Sequence, residues 1–432
     1  MPSHHRFLPG PDLSRDQLFD QQLSGLQWTV NHAYEGSPVY RAKLDAAGVG
    51  PDSITSLDDL SRLPFTSVED LRDGYPLPLL SVPEDQVVRI HASSGTTGKR
   101  KVLAYTQKDI DDWKDMFARC YELAGLTTED RVQICVGYGL WTAGAGFQLG
   151  CERFGAMALP LGPGNLEMQL QILVDVGATC LCSTASMALL MAEEVEKHGL
   201  MDRVKLKRCI FGAETHSAAM RANFEERLGL EGSFDITGLT ELYGPGAGLE
   251  CEAHEGIHYW ADYYILEILD PETLQPVAEG EVGEMVVTTL RKEAAPLIRY
   301  RTRDLTRLIP GQCPCGQVLP RHDKILGRSD DMIIYRGVNI YPGQIAAVLE
   351  QFPEAGSEYQ ITLRRSGGKD SMQVKVERKL GQNADNDENL AKTIGAALHK
   401  ALMARAGVEI VEPGELPRSF AKSKRVLDER DE

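Results

Sequence analysis

The chain has 432 residues, 42% hydrophobic and 25% charged, with a net charge of −17 from 46 basic and 63 acidic side chains. That length exceeds what one hydrophobic core fills, so two or more domains of ordinary soluble composition are expected. An acidic balance without a long basic run argues against nucleic acid or an anionic membrane surface as partner, and no run of about 18 apolar residues suggests a transmembrane helix.

From the N-terminus, residues 1–10 lack the apolar core of a signal peptide. Nine cysteines, an odd number, suit a reducing cytoplasm better than a disulfide framework. Residues 15–34 place Leu18, Leu23, Leu26, Trp28 and Val30 at broadly helical spacing, which predicts a packing helix. Two short helix starts with Ser/Thr caps and acidic first turns lie between 51 and 72. A β-rich apolar run then ends at Ala92, and Ser93, Ser94, Gly95, Thr96, Thr97, Gly98 and Lys99 follow. Glycines permit close backbone approach, hydroxyls add short donors, and consecutive N–H groups form a concave anion site. With the Lys99 cation, the loop reads as a cradle for a polyphosphate. Only Thr96 and Thr97 separate Gly95 from Gly98. That span is too short for a Walker A loop, so a P-loop kinase or ATPase is disfavoured. The plain alternative is an ordinary Gly/Thr/Ser surface loop.

A helix running to about Ala124 follows, and a strand from Arg131 leads into a Gly-rich turn. There Tyr138, Trp141, Ala143, Gly144, Ala145 and Gly146 outline either an aromatic-walled acyl slot or plain core packing. Apolar runs at 156–161, 178–182 and 207–212 read as buried strands, separated by helices at 166–176, 185–198 and 217–228. That alternation indicates an α/β fold with a mostly parallel sheet. In Asp235-Ile-Thr-Gly-Leu-Thr240-Glu241, the Thr240 hydroxyl suits a phosphate oxygen and Glu241 is the hard oxygen ligand that a nucleotide-bound Mg²⁺ takes. A Thr-Glu pair is otherwise a helix cap. From about 263 to 309 the pattern becomes that of a smaller β-rich subdomain, ending in Arg299-Tyr-Arg-Thr-Arg-Asp304, whose carboxylate can accept both hydroxyls of a ribose. Beyond 327, a strand (332–335), helix (343–351), strands (358–364, 372–378) and long helix (387–405) predict a small α+β domain.

The cysteines divide by chemistry. Cys313-Pro-Cys315-Gly is a tight knuckle, and Cys251-Glu-Ala-His254-Glu-Gly-Ile-His258 lies upstream. Three sulfurs and one imidazole make a closed tetrahedral Zn²⁺ site, structural in kind; Cys251, His258, Cys313 and Cys315 are the chosen ligands, with His254 as the alternative nitrogen and free thiols as the plain alternative. Cys180 and Cys182 share the spacing but sit in an apolar run, as buried strand thiols do.

With its flanks, Arg89-Ile-His-Ala before and Tyr105-Thr-Gln after, the 93–101 stretch resembles the phosphate loop of adenylate-forming enzymes, most closely the phenylacetate–CoA ligase family. The resemblance runs from about residue 15 to the last few residues. It implies a large adenylation domain (1–327) and a mobile C-terminal domain (328–432) that rotates between two half-reactions. It also implies that Gly212, Ala213 and Glu214 lie beside substrate and adenine, and that Asp235 and Thr237 belong to the nucleotide loop. Thr237 stands where the family has an adenine-stacking Tyr, which leaves Phe211 or Tyr243 as substitutes. The same resemblance assigns ribose to Asp304, nucleotide contact to Arg328, the hinge to Asp330, the pantetheine path to Gly337, and the adenylation lysine to Lys422. Ala421 replaces the Gly expected before that lysine, and Lys424 is the nearby competitor. The function implied is an ATP-dependent aryl-acid–CoA ligase using Mg²⁺, ATP and CoA on a small aromatic carboxylic acid, phenylacetate first, as a homodimer in the cytoplasm. Two other readings are a stand-alone adenylating enzyme with another aryl acid or acceptor, and an idle nucleotide-binding protein.

Overall fold

A computed structural model describes residues 6–10, 12–93, 100–214, 216–336, 338–366, 369–417 and 425–430. Helix α1 (Arg15–Gly36) begins at a reciprocal cap, in which the Ser14 hydroxyl accepts from Gln17 N at 3.1 Å and the Gln17 side chain accepts from Ser14 N at 2.9 Å. Leu18, Leu26, Val30 and Ala33 form its buried face. Trp28, expected in that stripe, is 38% exposed and stacks on His32 at 4.7 Å instead. Helices α2 (Pro38–Ala46) and α3 (Val68–Asp73) lead to an antiparallel hairpin of β1 (Arg89–Ala92) and β2 (Val102–Tyr105).

Next come α4 (Gln107–Leu123), β3 (Arg131–Ile134), α5 (Thr142–Phe154), β4 (Met157–Leu159), α6 (Leu166–Ile172), β5 (Cys180–Thr184), α7 (Ala185–Lys197), β6 (Arg208–Gly212), α8 (Ala218–Leu228), β7 (Gly232–Leu239), β8 (Gly244–Glu250) and β9 (Ile257–Tyr259). The glycines after 141 lie in a helix rather than in the expected turn. Gly146 and Gly150 are there because a Cβ at either would run into Phe117 of α4, so they let two helices approach closely. Strands β10 (Tyr264–Leu269), β11 (Gly283–Thr289), β12 (Tyr300–Thr306) and β15 (Gly327–Arg328) form a four-stranded antiparallel sheet, with β13 (Leu308–Ile309) and β14 (Arg321–His322) between its last two members in sequence.

The central sheet has nine strands in the order β13-β14-β9-β8-β7-β6-β5-β3-β4, parallel from β7 to β4 and antiparallel from β7 to β13. Every residue of β5 is buried, Cys180 and Cys182 included, as both-face coverage of a parallel strand demands. In such sheets ligands bind beyond the carboxyl ends of the strands. Those ends present residues 135–141 after β3, 213–214 after β6 and 240–243 after β7.

The C-terminal α+β domain has β16 (Ile333–Tyr335), β17 (Val338–Ile340), α9 (Pro342–Leu349), β18 (Ala355–Ser366), β19 (Lys369–Arg378), α10 (Asp387–Leu402), β20 (Gly407–Val411) and β21 (Val426–Glu429). Its sheet runs β20-β19-β18-β21. Strands β20 and β21 lie beyond the long helix, the last element that the sequence pattern predicts. Apolar side chains from Ile333 to Ala404 form a core of their own, separate from the two clusters of the larger part.

Candidate active site

Hairpin β1–β2 is tied at its Ala92 end to the segment after β3. Ala92 pairs with Val102, Ser93 N donates to Lys101 O at 3.1 Å, and Ala92 N donates to Leu140 O at 2.8 Å. Ser94, Gly95, Thr96, Thr97, Gly98 and Lys99 lie outside the described residues. The Ser93 hydroxyl at the mouth is buried and has no partner among the described residues, the condition of a donor waiting for an acceptor.

Glu241 lies at the centre of the site. Its carboxylate pairs with the Lys101 ammonium and accepts the Tyr300 hydroxyl at 2.9 Å on the same oxygen. Burial alone would raise its pKa, but the Lys101 charge, that hydrogen bond and Tyr300 outweigh burial and hold it below the usual range. The loop carrying it is fixed by its carbonyls: Tyr105 Oη donates to Thr240 O at 2.9 Å, and the fully buried Lys292 donates to Glu241 O at 2.7 Å. Lys292 Nζ also lies 4.9 Å from the Tyr105 ring centre and 5.3 Å from that of Tyr243. Burial lowers its pKa to about 8, against the pull of Asp109 and Glu241. Tyr243 has φ 116°, which L side chains rarely adopt, and its buried hydroxyl has no partner among the described residues.

Strand β12 carries Tyr300 and Asp304 into the same region. Register sets Asp304 opposite Arg328 of β15, and Arg328 Nη1 donates to Asp304 Oδ1 at 2.8 Å. The other edge of that guanidinium grips Asp330 through two bonds of 2.9 Å. The predicted ribose acceptor, nucleotide arginine and hinge are thus one ion-pair network. Gly337, Lys422 and its competitor Lys424 fall outside the described residues.

At the end of β6, Gly212 admits no side chain, since a Cβ would sit 2.5 Å from Ile236 O. Ala213 turns with φ 72°, and Glu214 Oε1 accepts from Ser186 N at 2.6 Å at the start of α7. Asp235 stands opposite Phe211 in register; burial and the nearby Glu250 push its carboxyl up to about 8. Thr237 is buried and offers no ring. Phe211 and Tyr243 are both fully buried, Phe211 edge-on to His216 at 4.8 Å and to Phe224 at 5.2 Å.

The proposed acyl wall lies between β3 and α5. Trp141 precedes the first turn of α5 and covers Gly137, while Tyr138 lies over Gly144, where a Cβ would come within 2.6 Å of its ring. His91 underlies this wall and was not singled out from sequence. Its Nδ1 lies 3.1 Å from Leu140 O, its Nε2 has no partner among the described residues, and burial lowers its pKa. Position 91 in an apolar run gave no signal beyond core packing; nor did Tyr300 and Lys292.

The Cys251, His258, Cys313 and Cys315 donor atoms all lie within 4.8 Å of one another. Cys251 Sγ is 3.5 Å from Cys313 Sγ, and Cys315 Sγ is 3.3 Å from His258 Nε2. His258 Nδ1 lies 2.9 Å from Leu319 O, which leaves Nε2 facing the sulfurs as a metal-binding tautomer requires. His254 turns away, with Nδ1 2.9 Å from Arg221 Nη2.

Comparison with known proteins bears on this geometry. The family described as AMP-binding enzyme matches residues 34–290, and the AMP-binding enzyme C-terminal domain matches 337–430. The phenylacetate-coenzyme A ligase of Escherichia coli (strain K12) is 43% identical over 424 residues, covering 96% of this chain and 96% of that one. Among solved structures, 2-hydroxyisobutyryl-CoA ligase in the postadenylation state with 2-HIB-AMP gives a TM-score of 0.88 at 28% identity, covering 99% of this chain and 94% of that chain. The same enzyme with 2-HIB-AMP and CoA in the thioesterification state gives 0.71 at the same identity and coverage.

Proposed function

Because the chain belongs to the AMP-binding enzymes, in the phenylacetate–CoA ligase family, we propose a residue-level account of an AMP-forming acid–thiol ligase acting on phenylacetate. In the first step a carboxylate oxygen attacks the α-phosphorus of ATP, the bond to the bridging oxygen breaks, and pyrophosphate leaves. In the second, the CoA sulfur attacks the acyl carbon, AMP leaves with the carboxylate-derived oxygen, and the thiol proton passes to solvent. Anhydride activation makes a protein nucleophile unnecessary.

The observation that carries this reading is the ionised Glu241, held by Lys101 and Tyr300 beyond the carboxyl end of β7. Loop 93–99 takes the phosphates, with Thr240 on an oxygen. The Glu241 carboxylate, already paired with a cation of the protein, fits Mg²⁺, which supplies neutralisation of phosphate charge when bound. Asp304 receives the ribose, Arg328 the nucleotide, and the 212–214, Asp235 and Thr237 backbone the adenine edge. Lys422 stabilises charge during adenylation. The small domain, bounded at 327/328, then turns about Asp330 so that Gly337 lines the pantetheine path. Tyr138, Trp141 and Gly144 shape a slot for a flat apolar ring. Zn²⁺ at Cys251, His258, Cys313 and Cys315 would be structural, as a closed thiolate-rich donor set implies.

The test is incubation with Mg·ATP and phenylacetate, with and without CoA, following AMP and acyl-CoA by mass. AMP and phenylacetyl-CoA appearing together support the reading. Pyrophosphate without thioester would move it to another acceptor, and silence across a benzoate and hydroxyaryl panel would sink it.

A further inference from the structure

Neither half-reaction calls on Lys292, a fully buried ammonium. Its hydrogen bond to Glu241 O, at 2.7 Å, is the only one it makes among the described residues, and no carboxylate there lies within ion-pair distance of it. The faces of Tyr105 and Tyr243 take the place of solvent, with ring centres 4.9 and 5.3 Å from Nζ. Burying a charge without a counter-ion is costly, so a position that keeps one is a candidate for function.

The segment that carries Lys292 is stapled to the start of α4. Glu293 N donates to Asp109 Oδ1 at 2.7 Å and Ala294 N to Asp109 Oδ2 at 2.9 Å, and Asp109 is itself fully buried. Thr106 Oγ1 donates to Glu293 Oε2 at 2.8 Å, and Lys108 Nζ to Arg291 O at 3.0 Å. Arg291 Nη2 in turn donates to Asp112 Oδ1 at 3.0 Å. The chain is thus fixed on both sides of Lys292 before its side chain reaches the site. Beside it, Tyr105 Oη donates to Thr240 O at 2.9 Å and to Tyr243 O at 3.3 Å. Two neighbouring donors therefore draw the carbonyls of Thr240, Glu241 and Tyr243 toward one side. Peptide planarity passes that grip to the Cα atoms of Thr240 and Glu241, and so to the direction of their side chains. Tyr243 holds φ 116° in the same loop, a conformation that persists only where its surroundings over-determine it.

We propose that Lys292 is a positioning residue for the nucleotide. Mounted on α4 and bonded to Glu241 O, it holds the 240–243 loop in the shape that presents Thr240 and Glu241 to Mg·ATP, and it takes no part in holding the acid. This inference rests on the reading that Glu241 faces the metal-bound nucleotide.

The experiment reads binding apart from turnover: calorimetric titration with Mg·ATP in the absence of acid, and acid-dependent exchange of pyrophosphate into ATP. In Lys292→Met we expect the Kd for Mg·ATP to rise about tenfold or more, the loss that follows when a buried carbonyl is deprived of a charged donor. The KM for phenylacetate in exchange should stay within about twofold, and Lys292→Arg, which restores charge and donor, should recover part of the nucleotide affinity. Glu241→Gln is the reference. If it weakens Mg·ATP while Lys292→Met does not, this inference fails and the reading of Glu241 stands. If Glu241→Gln binds Mg·ATP as wild type does, the reading of Glu241 fails and takes the inference with it. Equal losses for nucleotide and acid would make Lys292 a general fold support and overturn the proposal. Should Lys292→Met not fold, the same comparison is made in Lys292→Gln, which keeps a donor but no charge; a loss confined to the nucleotide supports the proposal, and its absence refutes it.

Discussion

The Tyr300 hydroxyl donates to Glu241 Oε1 over 2.9 Å although the two residues belong to different sheets, one in the four-stranded sheet and the other beyond the end of the central one. This bond meets the same carboxylate oxygen that Lys101 holds, and the strand that makes it delivers Asp304 four residues on.

Glu241→Gln keeps the shape and removes the charge. Pyrophosphate release is expected to fall on the order of 10²-fold, with a higher Mg²⁺ requirement, because the lost interaction acts where phosphate charge develops. Tyr300→Phe should give a milder loss of about tenfold. Initial rates across a Mg²⁺ titration measure both, and an unchanged Mg²⁺ dependence in Glu241→Gln would remove this residue from the nucleotide site.

Lys292 gives a pH dependence of stability with a definite sign. Burial depresses its pKa from 10.5 to about 8. Below pH 8 the ammonium is charged in folded and unfolded chains alike, and folding bears the full cost of burying it. Between pH 8 and 10.5 the folded chain has released the proton while the unfolded chain keeps it, so this group favours folding increasingly as pH rises. Relative to wild type, Lys292→Met should therefore be most stable near pH 7 and lose that advantage by pH 10. Denaturant unfolding at the two pH values reads the difference; a constant difference would mean that Lys292 titrates normally.

The cysteine cluster predicts one zinc per chain by elemental analysis. Cys313→Ser, or a strong chelator, should release it and lower Tm by roughly 5 °C or more. A metal-free purified protein whose Tm ignores added zinc would reduce the four side chains to packed thiols and imidazole.

Gly144 tests the acyl wall. A methyl group there meets the Tyr138 ring at 2.6 Å and Gly137 O at 2.8 Å, so Gly144→Ala must displace both the ring and the turn that carries it. The KM for phenylacetate is expected to rise about tenfold with the KM for ATP little changed, as loss of ring packing implies. Equal effects on both substrates would place Tyr138 outside the acyl pocket.

What was legible in the sequence was what departs from ordinary core chemistry. Thiols two apart beside a glycine, and a carboxylate on a tight loop after a strand, announce themselves by residue type. The parallel sheet was legible because buried strands such as β5 are apolar throughout. Tyr300, Lys292 and His91 were not, because each is a single polar group among apolar neighbours, two in strands and Lys292 in the loop between β11 and β12, and acts through a partner far along the chain. The glycines of α5 were misread for a similar reason: a glycine tolerated for helix approach looks the same in sequence as one required for a turn. Trp28 departs from the stripe because an aromatic at helical spacing can lie against a half-buried histidine as readily as in the core.

Among the described residues, the apolar cluster from Ile333 to Ala404 closes on itself and shares no buried residue with the clusters of the larger part. The domain rotation proposed above would therefore open no interior of its own and would change hydration only over the contact surface it leaves. Such a rotation would carry little change in heat capacity, and a scanning calorimeter should register the small domain as a separate cooperative melt.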